Sequence, residues 1–284
     1  MLPSIIKSIK LSCKILSKSE IRIPKPITNL QKFIKNEDKN APLIAREMDK
    51  HENIRERMLG LVNSEYLSHH TQYKSVLDII SQKGIYATYC IFCAAVLEET
   101  FKTDPELRAM LIHGKKVAIV SAKLAQYTPN TSAFDAYTSG LVHDIGAMFF
   151  VKINQTYMKV HENNKNNPLK GHKQELEFLG TSHAFASAVL ANKMGLKSVT
   201  NRALLFHHDE NIHWCLHHDP KAASSAAILM LANYIVNTME NENALTLDQL
   251  KYRNLANSLL PGFPDQAIKN ARLLLIQSES IIEL

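Results

Sequence analysis

The sequence predicts an all-α protein. Strand-like alternation of apolar and polar residues is scarce, and only nine glycines occur in 284 residues. Long segments instead repeat apolar residues at spacings of three and four, the mark of amphipathic helices. The balance of 45% hydrophobic and 21% charged residues is ordinary for a globular chain. A chain of this length buries a substantial core without covalent staples.

The periodicity places about a dozen helices. In the first half they cover "ITNLQKFI", "APLIAREMDKH" and "IRERMLGLVNS". A longer stretch, "SVLDIISQKGIYATYCIFCAAVLEETF", has its expected break near Gly84. "KTDP" reads as a stop and restart, with Asp104 as cap and Pro105 in the first turn of the next helix. That helix runs through "ELRAMLIHGKKVAIVSAKLA". "TSAFDAYTSGLVHDIGAMFFV" follows as one apolar helix. The polar run "HENNKNNPLKGHK" reads as a loop. Then come "TSHAFASAVLANKMG", with Gly195 at a C-cap position, "SVTNRALLFHH", "KAASSAAILMLANYIVNTM" and a closing helix "DQAIKNARLLLIQ". No internal repeat at solenoid periods is present.

Residues 1–18 form a basic leader. Across residues 1–26, Lys7, Lys10, Lys14, Lys18, Arg22 and Lys25 face a single acid, Glu20. Its apolar residues are interrupted by lysines, which excludes the h-region of a signal peptide. A solvated leader and an amphipathic tether to an acidic surface both fit. No continuous run of about 18 apolar residues predicts a transmembrane helix. No basic stripe with interleaved aromatics suggests a nucleic-acid partner. Four scattered cysteines, Cys13, Cys90, Cys93 and Cys215, make no disulfide framework and point to a reducing cytoplasm. Cys90 and Cys93 form a C-x-x-C that reads either as a redox or metal pair or as two small core residues.

Chemistry concentrates in the histidines. His113 shares a helical face with Met110, Val117, Val120 and Leu124, and so points inward. Asp144 shares one with Phe134, Tyr137, Leu141 and Met148. His143 stacks beside Ala136, Gly140 and Ala147, small residues that leave space around its ring. His183 opens a helix behind the cap residues Thr181 and Ser182, His207 and His208 close one, and Asn233 lies on an otherwise apolar face. Buried charge must be paired or must hold a metal. Imidazoles with a carboxylate suit zinc, iron, nickel or manganese, and an aspartate between two such groups can bridge a metal pair. A network without metal, in which Asp144 holds a protonated histidine, also satisfies these groups. The later cluster His213, His217, His218 and Asp219 reads as a solvated turn.

The order and spacing of these residues resemble the HD superfamily of metal-dependent phosphohydrolases. One histidine is followed by His-Asp 30 residues on, then by a histidine, then by His-His. The regulatory branch, the HDOD domain (HD-related output domain), is the closer match. "RIPKPITNLQKFIKN" resembles its proline-containing opening helix, "ERMLGLVNSEYL" its Leu-x-x-x-Asn-Ser turn and "GLVHDIGAMFF" its central helix. "EFLGTSHAFASAVLANKMGL" resembles its Gly-x-x-His-Ala helix and "ALLFHH" its closing pair. The likeness spans roughly residues 18–240.

The resemblance implies a two-lobed helical fold, with residues 19–104 as the N-terminal lobe, 105–240 as the HD-like lobe and 241–284 as a C-terminal extension. It implies a bacterial signalling module acting through a regulatory protein partner. It also implies metal positions at His113, His143, Asp144, His183, His207 and His208. One subsite takes Asp144, His183, His207 and His208; the other takes His113, His143, Asp144 and Asn233. The sister branch that hydrolyses cyclic di-GMP differs. Where it has a lysine this chain has Ala147, where it has a glutamate this chain has Ala109, and "HHDENIHW" lacks its Gly-Tyr-Pro. Asn233 replaces the superfamily's final aspartate. The resemblance therefore implies a metal site without efficient turnover. The alternative is a metal-dependent phosphohydrolase acting on a nucleotide or cyclic dinucleotide; a nucleotide-binding sensor is a third reading.

Overall fold

The computed structural model describes residues 2–18, 22–35, 40–65, 67, 71–241 and 245–282. Sixteen helices and no strand occur among them, so the all-α class holds.

The chain opens with α1 (Leu2–Lys18), α2 (Lys25–Lys35), α3 (Ala41–Met48) and α4 (Glu52–Val62). Helices α3 and α4 pack on the long α5 (Val76–Phe101). Gly84 breaks α5 as expected, with a φ of 83° that only glycine adopts without strain. Cys90 and Cys93 lie on the buried part of α5 as free thiols, so the pair is a core feature.

Asp104 starts α6 (Pro105–Ala125) by accepting the Glu106 and Leu107 N–H groups at 3.1 and 3.3 Å. Then come α7 (Ala133–Val142), α8 (Ile145–Ile153), α9 (Tyr157–Lys165), α10 (Pro168–Leu179), α11 (His183–Lys193) and α12 (Ser198–Phe206). The short α13 (Ile212–Leu216) precedes α14 (Pro220–Glu240), α15 (Leu247–Leu259) and α16 (Asp265–Ile282). Helix α14 is buried at nearly every position from Ala222 to Asn237, which places it at the centre of the helices around it. It packs on α6, α12 and α15, while α16 covers α6. Helices α5 and α14 are long and apolar enough to cross a membrane. Their most apolar windows are 61% and 83% buried inside the protein, as expected of core helices.

Four local expectations change. The apolar run through His143-Asp144 is not one helix. It divides into α7 and α8, with Asp144 at φ −103°, ψ 9° between them. The small residues beside His143 do not leave space. A Cβ on Gly140 would lie 2.6 Å from the Ala118 Cα, so α6 fills that room. The basic leader is a docked helix rather than a free segment: α1 packs on α11, buries Leu16 and joins Ser12 to Thr181 at 2.5 Å, while Lys7, Lys10, Lys14 and Lys18 stay exposed to solvent. The polar run expected as a loop is helical, forming the end of α9 and the start of α10. There Pro168 takes a first-turn position, where its missing N–H costs nothing.

Candidate metal centre

The break between α7 and α8 lets two consecutive side chains enter one interior space. His143 closes α7 and donates Nδ1–H to the Gly140 carbonyl at 2.7 Å. That bond leaves Nε2 as the atom turned to the site. His207 uses the same device after α12, donating Nδ1–H to the Leu204 carbonyl at 2.6 Å. His113, on α6, sets its Nδ1 3.1 Å from Glu240 Oε2, and Lys116 holds the other carboxylate oxygen at 2.9 Å. His183, on the first turn of α11, sets its Nδ1 2.8 Å from Glu175 Oε2. The Tyr157 hydroxyl and the Asn164 amide donate to Glu175 Oε1 at 2.6 and 3.2 Å.

Each of these rings is thus fixed through Nδ1. The opposite nitrogens, Nε2 of His113, His143, His183 and His207, are buried and make no hydrogen bond. Nδ1 of His208 is in the same condition. A buried polar atom without a partner is costly, and one anchored nitrogen opposite one bare nitrogen is how a metal-binding imidazole is presented. The donors fall into two groups. His183, His207 and His208 bring ligand atoms within 4.8 Å of one another, and so do His113, His143 and Asp144. Asp144 lies between the groups. Its Oδ2 is 3.1 Å from His143 Nε2, and its Oδ1 is 3.5 Å from His183 Nε2. The rings of His143 and His207 are 5.9 Å apart and those of His207 and His208 3.9 Å, so all six residues meet in one place.

Burial and neighbouring charges set the protonation of the site. Burial pushes the Asp144 carboxyl up, but His143 and His161 outweigh it and hold it well below the carboxylate range. Burial, reinforced by neighbouring imidazoles, holds His207 and His208 well below the ordinary histidine value and so keeps them neutral. Burial also lowers His113, helped by Lys165 and opposed by Glu240. Burial disfavours charge on His183, yet Glu175 overrides it and lifts the imidazole to about 9. Glu175 responds in kind: burial would raise it, but His183 draws it down to about 2.

Asn233 is buried 5% exposed on α14 and lines the same space, but its Oδ1 already accepts the Asn237 amide at 3.0 Å. Ala147 is fully buried and Ala109 is solvent-exposed. His213, His217 and His218 are exposed, with His213 Nε2 2.7 Å from Ser258 Oγ, while Asp219 caps α14.

Sequence reasoning missed several members of the site. His161 and His172 are 3% and 4% exposed. His161 Nε2 lies 3.3 Å from Asp144 Oδ2, and the His172 ring lies 6.3 Å from that of His208. Burial lowers His172 to about 4. Glu175 and Glu240 were missed as anchors, and so was Tyr252 of α15, whose fully buried ring stacks on His208 at 5.4 Å. The signal was spacing: Tyr157, His161 and Asn164, then His172 and Glu175, recur at three and four. The space enclosed by Asp144, His161, Asn164, Lys165, Pro168, His183, His208 and Asn233 leaves about 10 Å³ for the centre of a water-sized sphere.

Residues 21–210 match the model of the HDOD domain. The chain belongs to the HDOD domain family. An HDOD domain protein with unknown function from Geobacter sulfurreducens has a similar solved structure. It is 18% identical, with a TM-score of 0.62 and coverage of 98% of this chain and 97% of that one. A protein from Shewanella amazonensis SB2B, provisionally named a phosphohydrolase, is also 18% identical, with a TM-score of 0.63 and coverage of 99% and 96%. A provisionally named signal transduction protein from Marinobacter aquaeolei VT8 is 14% identical at a TM-score of 0.58. That likeness covers 98% of this chain but 64% of the longer one. At these identities the likeness shows the shared HDOD fold. No curated protein matches the chain.

Proposed function

We propose that this HDOD protein is a regulatory module that holds a divalent transition metal in its second lobe and relays a signal through a protein partner. In this reading residues 19–104 form one lobe, 105–240 the other, and 241–284 brace the second. The observation that carries it is the set of buried, anchored imidazoles whose outer nitrogens make no hydrogen bond, those of His143 and His183 lying beside the Asp144 carboxylate. His183, His207 and His208 with Asp144 would hold one ion, and His113, His143 and Asp144 a second. Zinc, iron, manganese or nickel fits this donor set. Such an ion supplies Lewis acidity and lowers the pKa of a bound water.

The surroundings favour binding over turnover. The donors are nearly fully buried, and 10 Å³ is about the room one water needs. A nucleotide requires a cavity of several hundred Å³. Ala147, where the hydrolytic branch has a lysine, is uncharged and lies deep in the core. Loss of one preorganised electrostatic group typically costs about 10²–10³ in rate.

Metal analysis of the purified full-length chain, followed by assay against nucleotides and cyclic dinucleotides, tests the reading. The expected result is bound metal, lost in His143→Ala and Asp144→Ala, with negligible turnover. Robust hydrolysis abolished by Asp144→Ala in a folded protein would overturn it in favour of a phosphohydrolase.

A further inference from the structure

We infer that the groove between α1, α11 and α12 binds a small amphipathic anion, a medium-chain fatty acid carboxylate. None of the residues lining it is a candidate metal ligand, so the inference stands with or without a bound ion. The groove encloses about 360 Å³, within the size range of small-molecule sites. Ile9 and Cys13 of α1 form one wall, and Ala188, Val189 and Leu205 supply the rest of the apolar lining.

Polarity is graded along the groove. Residues 194–197 join α11 to α12, and the polar lining gathers toward that join, with Asn192 and Lys193 ending α11 and Ser198 and Asn201 beginning α12. Asn201 Nδ2 lies 3.3 Å from Asn192 Oδ1. Ala188, Val189 and Leu205 lie farther from the join along the same two helices. A polar head with an apolar tail matches this grading. Charge is one-sided as well: Lys193 and Arg202 line the groove, and no acid does. Arg202 is ion-paired with Asp219, whereas Lys193 is exposed and makes no ion pair among the described residues. One uncompensated cation fits the single charge of a carboxylate. The exposed Lys7, Lys10, Lys14 and Lys18 of α1 add a positive field that draws anions to this side of the molecule.

Decanoate is the probe, titrated calorimetrically into the full-length chain at pH 8, where a carboxylic acid is ionised. One saturable site is expected. Decanol, with the same tail and no charge, should bind at least about 10-fold more weakly, the scale of a lost charge-assisted contact; acetate, a head without a tail, should not bind. Lys193→Glu should lower decanoate affinity by at least about 10-fold for the same reason. Cys13→Trp, at an exposed position on the wall, should obstruct the groove and abolish binding. Circular dichroism confirms that both variants fold. Decanoate should also slow the alkylation of Cys13 by N-ethylmaleimide in the wild-type chain, read by peptide mapping. Absence of saturable binding, equal affinity for decanol, wild-type affinity in either folded variant, or an unchanged rate of Cys13 alkylation overturns the inference.

Discussion

Glu175 shows how single residues set the chemistry of this site. It touches no ligand position itself, yet it receives the Tyr157 hydroxyl, the Asn164 amide and both the backbone and the ring nitrogen of His183. Such partners orient metal-binding imidazoles, and their loss typically costs about 10–100-fold in affinity. Glu175→Gln is expected to weaken metal binding by that order while leaving the helical signal intact; chelator competition measures it. The cysteines, which are not among the ligand candidates, supply a second test. Burial pushes the Cys90 thiol up to about 12 and raises Cys93 as well. An acid whose folded pKa is raised keeps its proton longer in the native chain than in the unfolded one. Its contribution is therefore intact below the unfolded value of 9.0 and declines as pH rises toward about 12. Iodoacetamide at pH 8, followed by peptide mapping, should leave both residues unlabelled in native protein and label both in urea. Rapid native labelling of either would refute the assignment of the pair to the core.

Among the elements, glycines decide which helices press together. A Cβ on Gly146 would lie 2.4 Å from the His183 carbonyl oxygen and 2.6 Å from the Ser187 nitrogen, so α8 approaches the α11 backbone through a gap that no side chain fits. Gly146→Ala must push these helices apart, and overpacking of this kind costs about 1–3 kcal/mol. Because His183 opens α11, the same change should also weaken metal binding. Gly60, inside α4, has nothing within 4 Å of where its Cβ would stand. Gly60→Ala should therefore stabilise by about 0.4–1 kcal/mol through the unfolded chain. Opposite shifts in urea midpoint check the pair. The elements also show how far the sequence could be read. Apolar periodicity located α5, α6, α11 and α14 because most of the residues they bury are hydrocarbon, with only a few polar ones among them. It passed over α9 and α10 because the faces they bury carry His161, Asn164, His172 and Glu175. A helix that buries polar groups against a polar site has no hydrophobic stripe to reveal it. For the same reason His113, His143, Asp144, His183, His207 and His208 were legible through motif order, while their anchors Glu175 and Glu240 were not: a carboxylate in a polar run looks like surface until tertiary contacts bury it. The division at His143-Asp144 was hidden by a run apolar enough to continue as one helix.

For the whole molecule, the site is a cross-link. His113, His143, Asp144, His183, His207 and His208 come from α6, the α7–α8 junction, α11 and the end of α12. Without an ion, several buried nitrogens carry a desolvation cost that nothing offsets. With one, helices far apart in the chain share a common anchor, and binding to the native state alone adds stability by mass action. At a free metal concentration of 100 times Kd this amounts to about 2.7 kcal/mol. At roughly 2–4 °C per kcal/mol for a chain of this size class, chelation should lower Tm by about 5 °C or more. Helix α5, with α3 and α4 packed on it, carries none of these ligands, so the metal-free protein should keep its helical content at 25 °C while melting earlier. The melting difference should vanish in Asp144→Ala, which removes the group between the two subsites. Scanning calorimetry of metal-loaded, chelated and Asp144→Ala protein decides the matter. Equal Tm values with and without metal in the wild-type chain would mean that the cluster is satisfied without an ion, with Asp144 balanced by protonated histidines alone.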